Sequence, residues 1–211
     1  MAEADPRGSV PSRTLVLASG NPGKLRELGA MLQPLGWTVL PQSEWGVEEA
    51  VESGLSFIEN ALIKARNAAR ATGLPALGDD SGLAVDALGG APGIYSSRYA
   101  GEDADDAANL RKLLGALADI GADARGAHFY CAMALLRHAE DPAPLLAIGK
   151  WDGQILATPA GSRGFGYDPV FRVAAEGCSA AQLPAERKNC LSHRGQALAA
   201  LLRQLEAEFP L

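Results

Sequence analysis

The sequence predicts an α/β fold, and three observations carry that expectation. Thr14–Ala18 is a short apolar, partly β-branched run that breaks at Ser19-Gly20-Asn21-Pro22-Gly23 and continues into Lys24–Leu32, where Leu25, Leu28 and Leu32 recur at helical spacing. Further apolar runs of strand length then alternate with longer segments that carry leucine or alanine stripes. With 211 residues, 47% of them hydrophobic, the chain can bury a sizeable core as one domain, or as one domain with two lobes.

Residues 1–13 are polar and carry two prolines, two arginines and no apolar run, so they are expected to form a disordered tail, neither signal peptide nor anchor. Residues 14–211 are expected to fold together. Gly36 is placed to end the first helix, and Trp37–Leu40 reads as the second strand. Glu48–Gly54 is an acidic loop, with Glu48 and Glu49 expected on a solvated face. Ser56-Phe57-Ile58-Glu59 has capping-box spacing and opens a helix to about Thr72, stopped by Gly73. On it Phe57, Ala61, Ala65 and Ala68 form a narrow apolar stripe, while Asn60 and Lys64, four apart, share another face. Leu74–Leu77 and Leu83–Leu88 read as two short strands joined by a turn at Gly78–Gly82. Gly89–Gly101 is expected to be a structured loop, because Ile94, Tyr95 and Tyr99 are too apolar for water. Asp103–Ala118 is predicted helical, with Leu110, Leu113, Leu114 and Leu117 buried. Ala127–Leu136 and Leu145–Ile148 follow as strands around the Asp141-Pro142 turn; His128 and His138 there lack paired ligand spacing. Trp151–Ile155 leads through Pro159 and Gly161 to Gly164–Pro169, and Ser192 is placed to cap a closing helix striped by Leu198, Leu201, Leu202 and Leu205.

Charge and cysteine usage narrow the function classes. A net charge of -6 argues against a general binder of nucleic acid or anionic membrane, so any polyanion held here is small. Cys131, Cys178 and Cys190 are odd in number, scattered and without C-x-x-C spacing, which fits a reducing cytoplasm better than a disulfide framework. No apolar stretch approaches the roughly 20 residues that cross a bilayer.

Four stretches carry candidate chemistry. Asp79 and Asp80 are adjacent carboxylates that repel, and a divalent cation offsets that repulsion while taking oxygen ligands from a phosphate chain. The stretch thus predicts the floor of a metal–phosphate site, although an acidic β-turn has the same composition. Ser19–Lys24 offers backbone N–H groups at a helix start and a mobile cation in Lys24, a setting that welcomes anions; its spacing is not that of a Walker A loop. Phe165 between Gly164 and Gly166 can present a bare ring to a purine, or can simply be a core aromatic in a tight turn. His193 and Arg194 fall in a first helical turn, where cations oppose the helix dipole, a placement that points to function.

Taken together, Ser19–Lys24, Phe57–Ala61 with Lys64, Asp79–Leu83, Gly89–Arg98, Phe165–Pro169 and Ser192–Arg194 closely resemble, in order, the inosine triphosphate pyrophosphatase family in its bacterial form. The resemblance runs from about Leu15 to about Leu205. It implies an elongated fold with a central mixed β-sheet flanked by helices, two lobes with an active-site cleft between them, and a homodimer. It implies hydrolysis of noncanonical purine nucleotides (ITP, dITP, XTP) to monophosphate and pyrophosphate with Mg2+. Carried over by position, Ser19, Gly20, Asn21, Pro22, Gly23 and Lys24 would cradle the triphosphate with Lys64. Glu52 and Asp80 would hold the metal, Asp80 also serving the attacking water as proton acceptor or by positioning it. Ser81 would touch substrate, Phe165, Gly166, Tyr167 and Asp168 would form the base pocket, and Lys188, His193 and Arg194 would close over purine and phosphates. Donors from Arg194 and His193 would match an O6 acceptor and be left unpaired by adenine. The sequence departs from the family at its N-terminal extension, at Gly78 and at Ser162-Arg163.

Two rivals stay in view: a non-catalytic purine-nucleotide sensor, and a housekeeping pyrophosphatase for other modified or standard nucleotides. The first would be expected to lack an acidic ligand, yet Glu52, Asp79 and Asp80 are all present. A Nudix-type hydrolase is disfavoured because no R-E-x-x-E-E helix occurs.

Overall fold

The computed structural model describes residues 13–208; the expected tail, residues 1–12, lies outside the described residues. Arg13, grouped with that tail by composition, is tied down: its carbonyl accepts from Thr38 N and its guanidinium donates to Leu35 O. Seven strands follow, β1 (Thr14–Ala18), β2 (Thr38–Pro41), β3 (Ala76–Val85), β4 (Gly126–Leu136), β5 (Leu145–Ile155), β6 (Phe171–Val173) and β7 (Cys178–Ser179). The helices are α1 (Pro22–Leu32), α2 (Phe57–Thr72), α3 (Asp106–Ala116), α4 (Ala185–Leu191) and α5 (His193–Glu208).

The strands form one mixed sheet in the order β2-β1-β3-β4-β5-β6-β7, as expected of the fold class. β1 is parallel to both its neighbours, and every later pairing is antiparallel. From β1 the chain crosses through α1 to β2 on one side, then through α2 to β3 on the other, so the strand order reverses at β1. A crevice opens at such a reversal, outside the carboxyl ends of the strands. Ser19 lies at that end of β1, and Asp79 follows the last β1–β3 partner pair, Ala18↔Gly78.

The expected turn at Gly78–Gly82 is not there. β3 runs unbroken through it, because β4 pairs with it from Ala76↔Leu136 to Val85↔Ala127 and gives each residue a ladder position. The two glycines serve close approach instead of a turn: a Cβ on Gly78 would sit 2.0 Å from Ala61 O of α2, and one on Gly82 2.3 Å from Gly93 O. Strand geometry also alternates side chains, so Asp79 and Asp80 point to opposite faces of the sheet. Each meets its own lysine, Asp79 Lys24 and Asp80 Lys64, and the Lys24 charge also acts on Asp80.

Smaller differences have similar causes. β5 continues to Ile155, beyond the expected Ile148, since β4 offers partners as far as Gly126↔Gln154. Gly149 inside it makes room for α5, as a Cβ there would meet His193 O at 1.9 Å. α3 starts later than expected, where Asp105 accepts from Ala108 N. Gly73 terminates α2 with φ of 68°, whereas α1 ends at Leu32 and Gly36, with φ of 77°, closes the 3-10 turn Gln33–Leu35 that follows it.

Apolar packing on both faces of the sheet holds these elements. Leu28 and Leu32 of α1 and Leu198 and Leu201 of α5 cover one face of the sheet over Leu77, Cys131 and Met133. The alanine stripe of α2 covers the other, against Ala132, Ala134 and Leu136. Farther along β3–β5, Leu83, Phe129, Trp151 and Phe171 pack with Leu113 and Leu117 at the end of α3.

Candidate active site

On one face of β3, Asp79 is fully buried and compensated from two helices. Lys24 Nζ lies 2.5 Å from its Oδ1, and Arg194 Nε lies 3.0 Å from its Oδ2. Burial alone would raise the Asp79 pKa, but Arg194 and Lys24 outweigh it and hold the carboxyl well below its usual range. Lys24 is therefore a fixed cation, not the mobile one expected, and also donates to Asp79 O. Ser81, two residues on and on the same face, donates to Asp79 Oδ1 and accepts from Arg194 Nη2 at 2.8 Å. The Cys131 thiol touches Asp79 Oδ2 at 3.3 Å, and burial with that carboxylate pushes its pKa well up.

On the opposite face, Asp80 meets α2. Lys64 Nζ lies 2.6 Å from Asp80 Oδ1 and 2.7 Å from Glu52 Oε1, joining the two carboxylates. Arg98 adds a contact of 3.3 Å to Glu52 Oε2. Burial raises the Asp80 pKa against the pull of Lys64, whereas Lys64 and Arg98 overcome burial at Glu52 and lower it. Asp80 Oδ2 is buried and has no hydrogen-bond partner.

A polar cavity of about 160 Å³ opens here, lined by Ser19, Gly20, Asn21, Lys24, Glu52, Lys64 and Asp80 among others. The start of α1 is expected to offer free N–H groups to it. Asn21 instead caps the helix, its Oδ1 accepting from Gly23 N and Lys24 N, while Asn21 N donates to Ser19 Oγ. Pro22 occupies the first helical turn, where its missing N–H costs nothing.

A second cluster lies along α4 and α5. Lys188 Nζ contacts Asp168 Oδ2 at 2.6 Å and Glu27 Oε1 at 2.7 Å, and Arg194 Nη1 pairs with Glu27 Oε2. Asp168 also accepts from Phe165 N; burial is the stronger influence and raises its pKa. The Phe165 ring lies under both cations, 4.9 Å from Lys188 Nζ and 5.6 Å from the Arg194 guanidinium carbon. Gly23 leaves room for that ring, since a Cβ there would meet it at 2.7 Å. Gly166 N donates to Asp106, and Tyr167 is turned into the core with its hydroxyl on Ser96 O. Ser192 caps α5 by accepting from Gly195 N. The His193 ring stacks on Phe129 at 4.7 Å and is buried, so burial and then the Arg194 charge keep it neutral, well below the usual histidine range.

The candidates thus fall into two groups, one around the cavity and one around Phe165, with Tyr167 and His193 packed against the core. Asp79, between Lys24 and Arg194, joins the groups, and Glu27, which pairs Lys188 with Arg194 in the second, escaped sequence reasoning. Its signal was its spacing, three residues after Lys24 on one helical face. Glu49, expected only as a solvated acid, is exposed but rests on the Ser19–Asn21 turn, its Oε1 2.2 Å from where a Cβ on Gly20 would lie.

Two carboxylates in the cavity, one with a buried oxygen lacking a partner, suit a cation that completes its shell with substrate oxygens and water. Among the described residues no group of three or more His, Cys, Asp or Glu side chains forms a metal cage of its own. A mixed sheet with paired carboxylates and lysines at its switch point defines an α/β protein equipped for a small polyanion with a cation. The chain belongs to the Ham1 family, whose model matches residues 15–204, and this bears out the resemblance seen in the sequence. It is 60% identical over 191 residues to a dITP/XTP pyrophosphatase of Yersinia pseudotuberculosis, covering 90% of this chain and 97% of that one. A HAM1 protein from Coxiella burnetii superposes with a TM-score of 0.84 at 48% identity, covering 92% of this chain and 98% of the other. A nucleoside-triphosphatase and dITP/XTP pyrophosphatase from Mycobacterium abscessus gives 0.70 at 45% identity, covering 91% and 99%.

Proposed function

We propose that this chain is a nucleoside-triphosphate pyrophosphohydrolase that converts noncanonical purine nucleotides (ITP, dITP, XTP) to monophosphate and pyrophosphate, cleansing the nucleotide pool. The observation that carries the reading is the cavity where Asp80, Glu52, Lys64 and Lys24 meet the Ser19–Asn21 turn. Relatives of high identity named dITP/XTP pyrophosphatase support it.

Glu52 and Asp80 would hold Mg2+, which when bound neutralises phosphate charge and polarises the α-phosphorus toward attack. Ser19, Gly20 and Asn21 would seat the phosphate chain, with Lys64 as its movable counter-charge. Asp80 Oδ2, buried and aimed at no protein donor, is the acceptor for a proton of the attacking water. At the other end Phe165 would stack on the base after exchanging its two cations for a purine face. The unused N–H groups of Lys188 and Arg194 would meet O6, and adenine would leave them unpaired at a cost of about 1–3 kcal/mol per group. The cleft between two lobes and a cytoplasmic location belong to the same reading. So does a homodimer: exposed Val51, Leu55 and Tyr95 give a second copy apolar surface to cover, and light scattering of the purified protein tests it.

The deciding assay incubates the protein and Mg2+ with ITP, XTP, GTP or ATP and separates pyrophosphate from orthophosphate. Pyrophosphate from ITP and XTP, with little from ATP or GTP, is expected. Orthophosphate alone, or tight binding without turnover, would remove the assignment in favour of another phosphohydrolase or a sensor.

A further inference from the structure

Lys64 stands on α2 with its ammonium between the two carboxylates read above as metal ligands, at hydrogen-bond distance from one oxygen of each. That is the position from which a divalent cation would engage both. A lysine and a divalent ion cannot share those oxygens, because their like charges repel across a few ångströms in a partly buried site. Arg98 holds the outer oxygen of Glu52 and leaves its inner one to Lys64. Glu52 itself is delivered by a pinned loop: Asn67 Nδ2 donates to Glu48 O on one side, and Gly54 N donates to Asn60 Oδ1 on the other. Both carboxylates are therefore held by protein contacts, with the ammonium bridging them. Lys64 has four rotatable carbons on a fixed helix, and its cavity is the one walled by the Ser19–Asn21 turn.

We propose that Lys64 is the resident counter-ion of the cation seat, which leaves Glu52 and Asp80 for the phosphate chain when divalent cation and nucleotide arrive together. The inference rests on the metal reading given above. In the free protein the lysine keeps the two acids apart from solvent cations. Incoming phosphate oxygens supply the ammonium with a new partner in the same cavity, and the vacated carboxylates take the metal. Metal and nucleotide thus bind with positive coupling, each favouring the other by the same factor.

The test is Mn2+ binding to the full, nucleotide-free chain at pH 8, followed by electron paramagnetic resonance of the free ion. Lys64→Met is expected to bind Mn2+ about tenfold or more tightly than the parent, the value of one or more charge-assisted hydrogen bonds no longer in competition. Lys64→Arg, which keeps the cation, is expected to stay as weak as the parent. A non-hydrolysable α,β-methylene ITP should tighten Mn2+ binding strongly in the parent and much less in Lys64→Met. Should the methionine variant fold poorly by circular dichroism, Lys64→Gln replaces it with the same expectation. Equal Mn2+ affinity in parent and charge-removed variants overturns the counter-ion role. Asp80→Asn separates the two readings: it should weaken Mn2+ binding in the parent and in Lys64→Met, and if it changes neither, the metal assignment falls and the inference with it.

Discussion

Asp79 and Asp80 are neighbours in sequence and opposites in structure. Asp79 is sealed between Lys24 and Arg194, both its oxygens engaged, its charge fixed by two cations from different helices. Asp80 has one oxygen on Lys64 and the other buried without a partner beside a cavity. A strand that points successive side chains to opposite faces turns one acidic pair into two separate devices. One clamps helices to the sheet, and the other keeps one oxygen without a protein partner beside the cavity. Compensation, more than burial, tells the two apart.

The largest consequence is for chemistry at Asp80. Asp80→Asn is expected to lower turnover by about 10²–10⁴-fold, the range for loss of a general base, with the fold intact by circular dichroism. Turnover within a few-fold of the parent would return Asp80 to a structural role. At Asp79 the order reverses. Asp79→Asn leaves Arg194 and Lys24 buried beside a neutral amide, and urea denaturation should register a loss of about 3–5 kcal/mol. A loss under 1 kcal/mol would show that Glu27 alone compensates Arg194.

The helix that serves Asp80 sits directly on the strand at Gly78. Gly78→Ala drives a methyl into Ala61 O and should cost about 1–3 kcal/mol while displacing Lys64 from its carboxylates, read as lower stability and weaker nucleotide binding together. Unaltered binding would mean that α2 absorbs the methyl without moving its lysine. The smallest effect concerns His193, on the Asp79 side. Its folded pKa is depressed, so the unfolded chain binds the extra proton; stability is full above the unfolded value near 6.5 and falls as pH drops below it. The expected slope from this group is about 1.4 kcal/mol per pH unit, and His193→Gln should flatten it in denaturation series between pH 5 and 7.

Much of this arrangement was legible in the sequence, for local reasons. The strand–turn–helix at Thr14–Leu32, the Ser56 cap, the Gly73 stop and the Ser192 cap each depend on a few adjacent residues, and all are found. What escaped depends on distant partners. The Gly78–Gly82 stretch reads as a turn by composition, and only pairing to β4 makes it strand. Glu27 reads as one more helical acid until α4 and α5 bring Lys188 and Arg194 against it. Family motifs named Lys24 and Lys64 as phosphate contacts, but local pattern could not say that each would spend the free state on an aspartate of a different face.

The β4–β5 ladder also sets an order of events in folding. Leu135 and Leu145 pair across only ten residues of chain, whereas Ala18 and Gly78 must close sixty. Loop closure favours the short connection, so the hairpin is expected to form before β1 docks. Pulse-labelled hydrogen exchange should protect Phe129–Leu135 ahead of Leu15–Leu17. Asp80 lies on β3, whose partner in β4 is 52 residues away at Asp80↔Ala132, so the cavity is assembled only after the hairpin offers that edge.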